Sequence, residues 1–172
     1  MTDSGAAELV DIVDEADRVV GRTTRAQMRR DNLLHRVVAI LCRNRDGKIY
    51  VHRRTATKDL FPNLYDMFTA GMVGAGESYD DAALRELEEE LGIRGVTLHP
   101  LFRHRYEGDR TRSHTAVYSV EWNGPIAHQP SEIAWGAFRS HSELVANLEQ
   151  FEFVPDGAEL FTRYLADYPE HR

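Results

Sequence analysis

Between Gly71 and Ile93 the chain writes out a short loop and one helix whose two sides have different needs. Ser78 with Asp81 three residues on predicts an N-cap, Asp80 and Asp81 suit the positive end of a helix, and Gly92 suits its stop. The spacing predicts a helix from Tyr79 to Leu91. Leu84, Leu87 and Leu91 recur every three or four residues and define a core face, with Ala83 at its edge. Glu86, Glu89 and Glu90 recur in the same way on a neighbouring arc, which crowds three carboxylates together. Like charges so placed cost about 0.2–0.5 kcal/mol per pair, and Glu89 and Glu90 also meet the unfavourable end of the helix dipole. Arg85 offsets only part of this. Three glutamates alone read as a solvated acidic face; the other reading is a cation site, whose hard oxygen donors suit Mg²⁺ or Mn²⁺.

The rest of the chain limits what such a helix can serve. At 172 residues, 42% hydrophobic and 28% charged, the sequence fits one ordinary domain over residues 1–172 with a core that needs no disulfide or structural metal. The longest apolar run, Val37 to Cys42, is too short to cross a bilayer, so no membrane partner is expected. Asp3 and Glu8 stand where a secretory signal would be basic, and the lone Cys42 forms no intrachain disulfide; both point to the cytoplasm. A formal net charge of −7 argues against general nucleic-acid binding while leaving room for a small phosphorylated ligand.

Leu9 to Val13 and Arg18 to Gly21 read as a hairpin around Asp14–Asp17, and Thr23 or Thr24 caps a brief helix through Arg30. His35 to Cys42 and Lys48 to Arg53 form the strongest predicted hairpin, turning at Asn44-Arg45-Asp46-Gly47. Two further strands, Val96 to Tyr106 and His114 to Trp122, flank a turn with Gly108 and Asp109. Ser140–Glu143 and Asp156–Glu159 resemble capping boxes opening two late helices. Strands and helices mix without a linker, giving an α+β class.

Gly71, Glu77, Arg85, Glu86, Leu87, Glu89, Glu90, Gly92 and Ile93 fill every specified position of the pattern G-x5-E-x7-R-E-U-x-E-E-x-G-U, with U apolar. A chance match in a chain this long is on the order of one in ten million. The segment therefore resembles the Nudix box of the Nudix hydrolases. That resemblance implies a mixed β-sheet between helices, an α/β/α sandwich, here with an N-terminal β-hairpin extension over about residues 1–30. It implies Glu86, Glu89 and Glu90 as metal ligands, with the Gly71 carbonyl as a further one, for Mg²⁺ or Mn²⁺. Glu77 then ligates or acts as base, ahead of Glu132, and Arg85 holds Glu77. The implied reaction is hydrolysis of a diphosphate bond in a nucleoside diphosphate linked to another group, with a carboxylate taking the proton of the attacking water.

Outside the box, residues from Leu9 to Phe138 are similar to the branch that contains isopentenyl diphosphate isomerase. Arg54 and Lys58, in Arg54–Pro62, match the cations that grip a diphosphate there. Isomerase chemistry itself is disfavoured: Ala70 stands in place of the needed cysteine, and Met72 and Met28 in place of metal histidines, with only His35 retained. His35 then reads as a core or hydrogen-bonded histidine. A basic cluster, Arg103, His104, Arg105, Arg110, Arg112 and His114, reads as a solvated hairpin or as a further anion site. Of the aromatics, Tyr65 is the first candidate to stack on a nucleobase, before Phe68, Phe102 and Tyr106. A non-catalytic nucleotide-sensing module is a further alternative, and relatives of this kind occur as monomers or homodimers.

Overall fold

The computed structural model describes residues 5–148 and 150–169. The N-terminal ribbon forms where alternation predicts it: β1 (Leu9–Val13) pairs antiparallel with β2 (Val19–Thr24). The turn between them is fixed by the Asp14 carboxylate, which accepts the N–H groups of Ala16 and Arg18. The Thr24 hydroxyl accepts the Gln27 N–H and opens α1 (Arg25–Arg30), which buries Met28.

The expected central hairpin is present at its turn and absent beyond it. The Asn44 side chain accepts the N–H groups of Asp46 and Lys48, and Gly47 takes the left-handed conformation at φ 75°. Yet β3 (His35–Arg43) and β4 (Ile49–Arg54) are in register only at Arg43 and Ile49. Along its whole length β3 runs parallel to β8 (Arg112–Glu121). Its other edge is shared in turn by β1 at His35, by β6 (Thr69–Met72) from Val37 to Ile40, and by β4 at Arg43. Meanwhile β4 lies between β5 (Tyr65–Asp66) and β9 (Ile133–Arg139). Both strands are largely buried, and a two-stranded ribbon would leave each with an unpaired edge in the interior. Antiparallel to β8 runs β7 (His99–Glu107), shorter than the predicted strand because Val96 and Leu98 pack on the core instead.

Alternation along β3 sorts the core into two layers. Val38, Ile40 and Cys42 meet α2 (Tyr79–Leu91), while Ala39 and Leu41 meet α3 (His141–Leu148) and α4 (Pro155–Asp167) through Leu144, Leu160 and Phe161. This is an α/β/α arrangement of α+β class. Ser140 and Glu143 form the expected reciprocal cap on α3. The box predicted at Asp156 does not form: α4 starts one residue earlier on Pro155, whose missing N–H costs nothing there, and its cap residue Val154 makes no side-chain bond. Among the described residues no helix is long and apolar enough to cross a membrane.

Candidate active site

The α2 helix has the predicted ends. The Ser78 hydroxyl accepts the Asp81 N–H, and Gly92 closes it at φ 69°. Its rotation differs from the sequence expectation. Leu84 is 42% exposed, whereas Ala82, Ala83, Leu87, Leu91 and Glu90 are buried. The buried face is therefore centred nearer the glutamates, and Glu90 is only 5% exposed. Sheet contacts choose between two adjoining arcs that the leucine spacing alone does not separate.

Two neighbours explain how these carboxylates fit. Opposite Glu86 stands Gly71 on β6, where a Cβ would collide with the Glu86 carboxylate. Gly71→Ala is expected to displace Glu86 and lower kcat about 100-fold while the far-UV circular dichroism spectrum stays unchanged, because φ at this position is not left-handed and only the side-chain contact is lost. At the end of α2 the orphan carbonyls of Glu90 and Leu91 accept the N–H groups of Gln129 and Ala127. That loop continues into Glu132, which precedes β9, and the Thr55 N–H donates to the Glu132 carbonyl.

These elements surround a cavity of about 370 Å³. Glu86, Glu89, Glu90, Gly71 and Arg85 line it, with Lys58, Glu132, Gln129, Arg25 and Glu8. Lys58 forms an ion pair with Glu132. Arg85 donates two hydrogen bonds to Glu77, both at 2.9 Å, one to Glu86 at 2.6 Å and one to the Met72 carbonyl at 3.0 Å, and contacts Glu89 at 3.4 Å. Among the described residues no three acids stand together at ion-binding distance.

The electrostatics separate the acids. Burial, then the charge of Glu86, pushes the Glu90 carboxyl well above the usual range, and burial also raises Glu86, with Arg85 opposing. The Arg85 guanidinium holds Glu77 below that range. Burial lowers the Lys58 ammonium.

Not every predicted residue meets at this cavity. Glu77 lies behind Arg85, with one oxygen also taking the Gly74 N–H at 2.8 Å. Arg54 lines the adjoining cavity with Lys58 and donates to the Leu60 carbonyl. Tyr65 is elsewhere: it stacks on Phe151 at 4.5 Å, beside Phe153 and Trp135. The basic hairpin is largely neutralised, with Arg105 and Arg112 on Glu107 and Glu15, His104 on Glu159, and Arg103 over the Tyr79 ring. His35 is buried, bonded to the Leu33 carbonyl and lowered by burial to about 4. Ala70 lines the cavity, while the Cys42 thiol sits in the core, pushed up by burial to about 12. No sequence signal singles out Glu8, Arg25 or Gln129, since each reaches the cavity only through tertiary packing.

A NUDIX domain family model matches residues 33–164. The chain belongs to the Nudix family, and its class is that of a hydrolase. It is similar to an uncharacterized Nudix hydrolase of Streptomyces coelicolor, 48% identical over 165 residues, covering 95% of this chain and 91% of the relative. A similar likeness, 38% over 151 residues and 88% and 83% of the two chains, holds for the uncharacterized Nudix hydrolase YfcD of Escherichia coli. Among solved structures, DR0079 of Deinococcus radiodurans superimposes with a TM-score of 0.78 at 31% identity, covering 91% of this chain and 98% of that one. The family match begins after β2 and α1, although residues of the preceding segments, Glu8 and Arg25, line the cavity.

Proposed function

We propose that this Nudix hydrolase cleaves a diphosphate bond in a nucleoside diphosphate linked to another group, using Mg²⁺ or Mn²⁺. The observation that carries the reading is one cavity in which the buried carboxylate of Glu90 and the half-buried one of Glu86 are lined up with the cations Lys58 and Arg25. A chain rarely buries acids so close together unless a ligand compensates them. The donor types fit a hard divalent cation. Glu86, Glu89 and Glu90 line the cavity without converging, with Glu86 and Glu89 turned to Arg85, and would hold the ion with the Gly71 carbonyl once their carboxylates turn inward. The bare Cα of Gly71 leaves the room that the Glu86 carboxylate fills. When bound, such an ion neutralises diphosphate charge and acidifies the attacking water.

The remaining steps belong to side chains. Lys58 and Arg25 take the phosphate oxygens, with Arg54 beyond them. Glu132 takes the proton from water once the substrate draws Lys58 away from it. Arg85 and Glu77 position Glu86 and Glu89 from behind.

Chromatographic detection of the two products, a nucleoside monophosphate and the phosphate ester of the other group, from a panel of linked nucleoside diphosphates, with isoprenoid diphosphates followed by phosphate release, tests the reading. Cleavage is expected with Mg²⁺ or Mn²⁺, none with excess chelator, and at least about a 100-fold loss in Glu89→Gln. If no member of the panel is cleaved with either metal, the proposal fails.

A further inference from the structure

Past Lys58, Gly71 and Met72 the cavity of the glutamates adjoins a second one of about 110 Å³. Its lining falls into three kinds of surface. Arg25, Arg54 and Lys58 are cationic; Met28, Phe61 and Val154 are apolar; Asp66 and Asp156 are acids. A diphosphate held by the shared cations would therefore present its attached group to apolar walls and two carboxyls.

The two acids differ in what they already bind. Asp66, on β5, is 3% exposed, and its Oδ1 accepts the Phe68 N–H at 3.0 Å. Asp156, in the first turn of α4, has its carboxyl beside the backbone N–H groups of Asp156 and Gly157, yet its Oδ1 is sealed from solvent and among the described residues no donor meets that atom in hydrogen-bond geometry. The nearby guanidinium of Arg54 is directed to the Leu60 carbonyl. A buried acceptor without a donor is costly to keep, and a ligand group that supplies the donor removes that cost on binding. Burial and the proximity of Asp156 raise the Asp66 carboxyl to about 7, which is consistent with two acids sharing a closed space.

We propose that this second cavity seats the group carried on the diphosphate, and that Asp156 Oδ1 accepts a hydrogen bond from an N–H or O–H of that group. The favoured substrates are then diphosphates of nucleosides, with amino and hydroxyl donors, and not those of hydrocarbon chains. This rests on the hydrolase reading above. A site built around a donor discriminates strongly against an analogue that lacks it.

The test compares CDP-glucose, UDP-glucose, their 2′-deoxyribose counterparts and dimethylallyl diphosphate. Wild type is expected to favour at least one nucleotide over dimethylallyl diphosphate by about tenfold or more in kcat/KM. A preference for cytidine over uridine places the donor on the base amine, and one for ribose over deoxyribose places it on the 2′ hydroxyl. Asp156→Leu should raise KM for the favoured nucleotide about tenfold with kcat within about threefold, and Asp156→Asn, which keeps a carbonyl oxygen, should restore it. Titration of metal-free protein with the matching nucleoside monophosphate reads the same contact without turnover, and should show about tenfold weaker binding in Asp156→Leu only. No discrimination in either nucleotide pair places the donor on the 3′ hydroxyl that all four share, whereas equal use of dimethylallyl diphosphate and nucleotides, or unchanged KM and monophosphate binding in Asp156→Leu, overturns the proposal. A protein that binds the monophosphate through Asp156 but cleaves no diphosphate sinks the hydrolase reading and leaves this contact standing.

Discussion

Glu90→Gln is expected to lower kcat about 1000-fold and, in the same protein freed of metal, to raise stability by about 1–2 kcal/mol at pH 8. The two effects have one cause. Glu90 is buried beside Glu86, and its carboxyl is raised above the ordinary value of 4.5. A group raised in the folded state binds more protons there than in the unfolded chain. Its contribution to stability is therefore complete below pH 4.5 and is lost as pH rises through the raised folded value. Glutamine keeps the shape and removes the charge, so the decline with pH should flatten. Urea unfolding in chelator at pH 5 and pH 8, set beside kcat with Mg²⁺, measures both signs. If the glutamine variant keeps more than about a tenth of wild-type kcat, Glu90 has no essential share in the chemistry; if it destabilises at pH 8, the buried carboxylate is not a cost.

Arg85→Lys should fail in both respects. The planar guanidinium grips both oxygens of Glu77 while also reaching Glu86 and the Met72 carbonyl. An ammonium cannot reproduce that fork, so the lysine variant leaves at least one of these partly buried acceptors unpaired. A loss of about 2 kcal/mol in stability follows, moderated because Arg85 retains some solvent contact. Activity should fall about 100-fold through kcat, since Glu86 and Glu89 lose the group that orients them. Thermal unfolding and steady-state kinetics separate the two effects. An unchanged kcat in Arg85→Lys would show that only charge, and not the fork, matters at this position.

How much of this is legible in the sequence follows from distance along the chain. The caps of α2, the Thr24 start of α1 and the reciprocal cap on α3 are readable because each is settled within three or four residues. So is the placing of Glu86, Glu89 and Glu90 on one side of α2, along one cavity, although the three do not converge at ion-binding distance as the spacing suggests. The outward turn of Leu84, the parting of β3 from β4 and the true start of α4 are not, because each is decided by a surface that arrives from elsewhere. The same holds for the cavity. Arg25 comes from α1, Gln129 from the loop before β9, and Asp156 from α4, with no motif to mark any of them. Tyr65 shows the opposite case: its place just before the box suggests a site aromatic, but β5 turns it into a cluster with Phe151 and Phe153.

The divided edge of β3 also sets an order of assembly. Its parallel partner β8 lies far downstream in the chain, whereas β6 and the turn to β4 are near at hand. During synthesis the Gly71 strand can dock on one side of β3 while the other edge, with its N–H and C=O groups unpaired, waits for residues 112–121. A nascent chain halted before β8 should therefore be prone to stick to other chains, and full protection of the β3 amides from hydrogen exchange should appear only after β8 has been released from the ribosome.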